Sequence, residues 1–196
     1  MNVGSPISSV IPTLDGPVLE VLSGVSSPLT LSQIHRRATR GTLSGISLVL
    51  GRLTREGIVH DVPGGYLLNR DHVASEAIGM LAKLHGLLVR RLRAEVKLWE
   101  YEPEAVGLFG SAARRDGNSE SDIDILIIGK TECPEDLVSD LMTKVMNWTG
   151  NRTQVVSITS VDLKRFQLLN EPILEEWRRD IEVIAGDPGI LDRVCV

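Results

Sequence analysis

The chain predicts an α+β protein: a helical N-terminal unit closed by a hairpin, a long linking helix, and a C-terminal mixed sheet with flanking helices. Three observations carry that expectation. Apolar residues recur at helical spacing over residues 17–53, then give way to two short strand-like runs around Pro63-Gly64-Gly65. One helical pattern occupies residues 71–100. Beyond it, β-branched runs alternate with helical stretches, as in a sheet with helices packed on it. The expected divisions are residues 14–70, 71–100 and 101–196.

Residues 1–13 are rich in Ser, Pro and Val and read as a loose arm. They have no basic start and no long apolar run, so neither a signal peptide nor a membrane span is expected. Pro17 suits the first turn of a helix. Thr30 caps a second helix over 31–37, with Leu31, Ile34 and Ala38 on one side. A third helix over 43–56 buries Leu43, Ile46, Leu50 and Leu53 and stops at Gly57. Residues 58–62 and 66–69 then form a hairpin. Asp71 caps the linking helix, whose apolar face carries Val73, Ala77, Met80, Leu81, Leu84, Leu87, Leu88, Leu92 and Val96. Pairing that face across a two-fold axis would make a homodimer.

The net charge of −5 is unevenly spread. It is +1 up to Asp71, +3 from His72 to Trp99, and −9 from Glu100 onward. Any contact with DNA therefore belongs to the first half. Aromatic residues make up 4% of the chain, too few to suggest stacking platforms for single strands. Cys133 and Cys195 stand far apart, which argues against zinc and against a disulfide framework and suits a reducing cytoplasm.

The chemistry-bearing stretch is Gly110-Ser111-Ala112-Ala113-Arg114, followed after six residues by Ser121-Asp122-Ile123-Asp124-Ile125-Leu126-Ile127-Ile128. It reads as strand, glycine turn, loop, strand. Alternation along the second strand points Asp122 and Asp124 the same way. Two carboxylates on one face repel unless a cation lies between them. Mg²⁺ takes one or two protein carboxylates and fills its other positions with water and nucleotide phosphate oxygens. Glycine lets the backbone approach a phosphate, and Ser111 can donate to it. These parts suit phosphoryl or nucleotidyl transfer.

Leu108-Phe109-Gly110-Ser111-Ala112-Ala113-Arg114 with Ser121-Asp122-Ile123-Asp124-Ile125-Leu126-Ile127 resembles the signature of the nucleotidyltransferase superfamily that includes DNA polymerase beta. It is most similar to small bacterial members, a group that includes antitoxins paired with HEPN toxins. The resemblance implies a nucleotidyltransferase fold and a nucleoside triphosphate substrate, ATP first among them. Asp122 and Asp124 would be catalytic and would hold Mg²⁺ or Mn²⁺. Gly110, Ser111 and Arg114 would hold phosphates, and Ser121 would brace the loop. Residues 30–68 resemble a winged helix-turn-helix. That likeness implies a third helix in the major groove of double-stranded DNA. Thr42, Ser44, Ser47 and Arg52 would reach bases, and Arg36, Arg37 and Arg40 would reach phosphates. Such modules also dock proteins, and a toxin is one such partner.

One position departs from the signature. Active members carry a third carboxylate on the strand after the next helix. Here that strand reads Thr153-Gln154-Val155-Val156-Ser157, with Gln154 at the expected place. An amide oxygen can bind a metal weakly but takes no proton. Asp116 and Glu120 are the nearest other acids, both on the signature loop. Two functions therefore follow as expectations: metal-dependent nucleotidyl transfer, or a winged-helix regulator or antitoxin with a degenerate nucleotide domain.

Overall fold

The computed structural model describes residues 1–192; Cys195 lies outside them. The chain forms two compact units, Gly4–Leu87 and the part from Leu88 onward, with Val3 counted in the second.

The first unit is built from α1 (Asp15–Ser23), α2 (Leu31–Arg37), α3 (Leu43–Arg55), β1 (Val59–Val62), β2 (Gly65–Leu68) and α4 (Ser75–Ala82). Thr30 and Gln33 cap α2 reciprocally, each side chain bonding the other's backbone amide. Thr42 caps α3 by accepting from the Gly45 amide at 3.1 Å. Ile34, Ile46, Leu50, Leu53, Val59 and Leu68 meet in one core. Each such side chain contributes about 1.5–3 kcal/mol on burial. β1 and β2 pair antiparallel with Val62 opposite Gly65. Gly64 and Gly65 both turn at positive φ, +100° and +127°, which only glycine does without strain.

Three local expectations change here. Residues 1–13 are not a loose arm. Pro6–Ser9 is a 3₁₀ turn, Ile7 is fully buried in the first core, and Val3 is buried in the second. Leu43 does not join the buried stripe of α3; it is 45% exposed because the first turn of that helix projects beyond the core. The single helix over 71–100 is two helices, α4 and α5 (Leu84–Val96), separated at Lys83. Each half packs into a different unit. Ile78 enters the first core, while Leu88, Val89, Leu92 and Val96 enter the second. Val73, Met80 and Leu87 stay exposed, so the wide continuous apolar face does not form.

The second unit carries a four-stranded mixed sheet in the order β5-β4-β3-β6. Its strands are β3 (Ala105–Phe109), β4 (Ile123–Gly129), β5 (Thr153–Thr159) and β6 (Glu182–Gly186). β3 pairs antiparallel with β4 and β6, and β4 pairs parallel with β5. The parallel pair needs a crossover, supplied by α7 (Glu135–Thr149), which opens on two acids and ends at Gly150 in the left-handed region. α6 (Gly110–Arg114) follows β3 directly. α8 (Ser160–Leu169) and α9 (Ile173–Asp180) follow β5.

The period-two alternation of β4 divides its side chains between two cores. Ile123, Ile125 and Ile127 pack with residues of α5 and α7. Leu126 and Ile128 pack with Leu163 of α8 and with Leu174 and Trp177 of α9. Asp124 shares the parity of the second set, so it faces the α8–α9 side.

Candidate active site

β3 delivers the glycine turn and β4 delivers the carboxylates to one end of the sheet. Phe109, the last residue of β3, lies opposite Asp124 in the ladder. Gly110 follows at φ +65°, and a Cβ there would stand 2.5 Å from Asp124 Oδ2. A side chain there would be strained at this φ and would have to push the carboxylate aside. The loop after α6 is held from several sides. Ser121 Oγ accepts from the Asn118 amide at 2.9 Å. Asn151, buried at the far end of the α7 crossover, donates through Nδ2 to the carbonyls of Ser121 at 2.8 Å and Ser119 at 3.3 Å.

A cleft of about 760 Å³ opens beside this turn. Gly110, Ser111, Arg114, Asp124 and Gln154 line its polar end. Phe109, Val156, Ile158, Phe166, Ile173 and Trp177 form its apolar floor and wall. α9 adds Glu176, Arg179 and Asp180. Asp122 is not among the lining residues. It stands immediately before β4, and its charge reaches the Asp124 carboxylate.

Burial pushes the Asp124 carboxyl above its ordinary range. The neighbouring Asp122 charge adds to that, and Arg114 opposes it. The consequence for stability has a definite sign. A carboxyl raised in the folded state holds its proton more tightly than in the unfolded chain. The stability this provides is complete below the ordinary carboxylate pKa and is lost as pH rises through the raised value. Asp124→Asn has no charge to create, so it should unfold at a higher temperature than wild type at pH 7 in chelator. The gap should close on acidification below the ordinary aspartate pKa of about 4. A variant less stable than wild type at pH 7 would refute this reading of the carboxylate's surroundings.

Arg114 is engaged rather than open. Its Nε donates to Asp116 at 2.7 Å and its Nη1 to Asp180 at 2.5 Å. These two partners raise its already high pKa. Asp116, weighed in the sequence as a substitute ligand, is thereby committed to Arg114. The other substitute, Glu120, accompanies it on the exposed loop outside the cleft.

The absent third carboxylate has a definite structural address. β4 and β5 run parallel with Asp124 beside Gln154. Both line the cleft. Among the described residues, no three His, Cys, Asp or Glu side chains gather as metal ligands. Asp122 and Asp124 nonetheless fit a hard divalent ion. They are two mutually repelling oxygen donors on one face, with a neutral amide oxygen beside them, and Mg²⁺ accepts as few as one or two protein carboxylates.

The residues weighed for DNA are all exposed on the first unit: Arg36, Arg37, Arg40, Thr42, Ser44, Ser47 and Arg52. Several have internal work. Arg52 pairs with Asp15, and Arg40 donates to the Pro12 carbonyl at 2.5 Å. Thr42 caps α3, and its Oγ1 lies 3.2 Å from Ser44 Oγ.

Sequence reading missed Asn151, Arg179 and Asp180. Asp180 stands 66 residues from Arg114, and no spacing rule joins them. Asn151 carries a faint signal, as a buriable amide just after a helix-ending glycine.

Residues 95–176 match the family model for the polymerase beta nucleotidyltransferase domain. The match starts near the end of α5 and ends within α9. It contains Gly110, Ser111, Arg114, Ser121, Asp122, Asp124 and Gln154 and stops short of Arg179 and Asp180. It supports the nucleotidyltransferase superfamily for the second unit. No curated protein and no solved structure matches the chain. No helix among the described residues is long and apolar enough to cross a membrane.

Proposed function

We propose that the second unit transfers a nucleoside monophosphate from a nucleoside triphosphate, ATP first among them, to an acceptor hydroxyl. The observation that carries this is the close approach of Gly110 to Asp124 at the mouth of a cleft large enough for a nucleotide. Asp122 and Asp124 would hold Mg²⁺ or Mn²⁺, which when bound neutralises triphosphate charge and polarises the phosphoryl oxygens. Gly110 brings backbone close to the phosphates, Ser111 donates its hydroxyl, and Arg114 supplies positive charge. The acceptor oxygen bonds to the α-phosphorus, the bond from that phosphorus to the β-phosphate bridging oxygen breaks, and pyrophosphate leaves. Gln154 takes no proton, so the acceptor's proton passes to water. The first unit is read as a winged helix that brings the reaction to double-stranded DNA or to a partner protein such as a toxin.

A second reading is favoured by Gln154 itself. A domain with an amide in the carboxylate row can bind nucleotide without turning it over, leaving a winged-helix regulator or antitoxin. Thermal unfolding with millimolar ATP, GTP, CTP or UTP plus Mg²⁺ tests both. A ligand at about one hundred times its Kd adds roughly 2.7 kcal/mol to stability. A shift that Asp122→Asn abolishes is the expected result. If no nucleotide moves the midpoint, the transferase reading falls. The regulator reading then needs salt-sensitive retardation of double-stranded DNA.

A further inference from the structure

Asp180 sits at the end of α9 with its side chain 3% exposed. It accepts from two guanidinium groups. Arg114 Nη1 donates at 2.5 Å, Arg179 Nε at 2.7 Å, and Arg179 Nη2 at 3.1 Å. All three residues line the cleft that holds Asp124. A buried carboxylate shared by two arginines holds like charges together that would otherwise separate. Asp180 raises the proton affinity of Arg179, against a smaller opposing effect of the Arg114 charge. Arg179 and Arg114 in turn hold the Asp180 carboxyl down at about 2.

A guanidinium carries five N–H groups. Arg114 gives its Nε hydrogen to Asp116 and one Nη1 hydrogen to Asp180, leaving the other Nη1 hydrogen and its Nη2 group. Arg179 gives its Nε hydrogen and one Nη2 hydrogen to Asp180, leaving the other Nη2 hydrogen and its Nη1 group. Two forks with donors to spare, fixed on one carboxylate, match the several oxygens of adjacent phosphates better than one flexible cation does. Ser111 and Gly110 occupy the same end of the cleft.

We propose that Arg114 and Arg179, positioned by Asp180, form a two-arginine clamp for the β- and γ-phosphates of the bound triphosphate. Arg179 is then a phosphate-binding residue, and Asp180 is a positioning residue that acts through both arginines. This rests on the transferase reading of the cleft. It adds a requirement that reading lacks: preference for a chain of phosphates over a single one. The clamp also accounts for the fixed side of Arg114, whose bonds to Asp116 and Asp180 would otherwise take it away from any ligand.

The test uses the full chain and inorganic probes, so that no nucleobase enters. Binding of tripolyphosphate and orthophosphate is measured by calorimetry in chelator for wild type, Arg179→Gln, Asp180→Asn and Arg178→Gln. The last variant removes the same charge from α9 at a residue outside the cleft lining. Arg179→Gln and Asp180→Asn should each weaken tripolyphosphate about tenfold or more and leave orthophosphate within about twofold. Arg178→Gln should leave both within about twofold. Because Arg179 is 66% exposed, its variant should fold normally. Equal tripolyphosphate affinity in wild type and Arg179→Gln overturns the clamp, as does an equal loss for both probes or an equal loss in Arg178→Gln. The same calorimetry with ATP and Mg²⁺ keeps the two ideas apart. If that nucleotide binds through Asp122 but ignores Arg179, the clamp alone fails. If tripolyphosphate binds through Arg179 while no nucleotide binds, the transferase reading fails and the polyphosphate site stands.

Discussion

Gln154→Asp is expected to raise metal-dependent nucleotidyl transfer by about 10²–10⁴-fold, the usual contribution of a positioned general base. β4 and β5 are parallel, and Asp124 and Gln154 occupy one row of the ladder. Neighbouring strands lie about 4.8 Å apart, so same-row side chains on one face are close enough to share a metal or a proton. Both residues line the cleft. The amide of Gln154 offers an uncharged oxygen and no site for a proton, whereas aspartate supplies both a charged ligand and a base. The substitution also has a cost. Three carboxylates would crowd one strand end where Asp122 and burial already push the Asp124 carboxyl up. In chelator, Gln154→Asp should therefore unfold at a lower temperature than wild type, and Mg²⁺ should restore it. Pyrophosphate release at saturating Mg²⁺ measures the gain. A variant that binds Mg²⁺ more tightly but releases pyrophosphate no faster would show that the row beside Asp124 is not where the proton is taken.

Trp177→Ala is expected to cost the second unit about 3–5 kcal/mol of stability, the range for removing a large aromatic from a core. Trp177 is 1% exposed. Its ring meets Phe109 edge-on at 6.2 Å and Phe166 at 6.4 Å. Those contacts fasten α9 and α8 to the sheet beside Asp124. Aromatic pairs of this kind contribute about 0.5–1.5 kcal/mol beyond the area they bury. Trp177 Nε1 is buried with no hydrogen-bond partner among the described residues, so the native side chain carries an unsatisfied donor there. Trp177→Phe removes that donor along with part of the ring and should cost much less than the alanine. Urea unfolding of the three proteins, followed by a probe in the second unit, gives the comparison. A phenylalanine variant as unstable as the alanine would mean that the indole itself, and not the apolar volume it fills, decides this site. Nucleotide affinity should fall with the alanine variant too, since α9 carries Arg179 and Asp180 into the cleft.

The local parts of the site were legible because each rests on a short-range rule. A glycine turn after an apolar strand, a serine ahead of the first aspartate, and two aspartates at period two all lie within fifteen residues of chain. Gln154 was singled out by the resemblance to the superfamily signature, and the parallel pairing of β5 with β4 sets it beside Asp124. The cap at Thr30 was legible because it acts on an amide three residues away, whereas Thr42, weighed for DNA, also caps its helix.

Where the rules needed knowledge of the partner, they failed. The apolar pattern over residues 71–100 looks the same whether it faces one core or two. Only packing decides that Ile78 serves the first unit and Leu88 the second, with a break at Lys83 between them. Leu43 has helical spacing with Ile46 and Leu50, yet nothing in the sequence says where the opposing surface ends.

By itself, then, the sequence determined the two strands, the glycine turn between them and the spacing of the two aspartates. Covalent neighbours and strand alternation fix all of these. Only the tertiary structure decided what surrounds them: the aromatic floor, the buried Asp180, and the choice of Arg114 and Arg179 as its partners. The contacts of Arg114 with Asp180 and of Phe109 with Trp177 join residues far apart along the chain, and their identity depends on which helix the second face of the sheet selects to cover it.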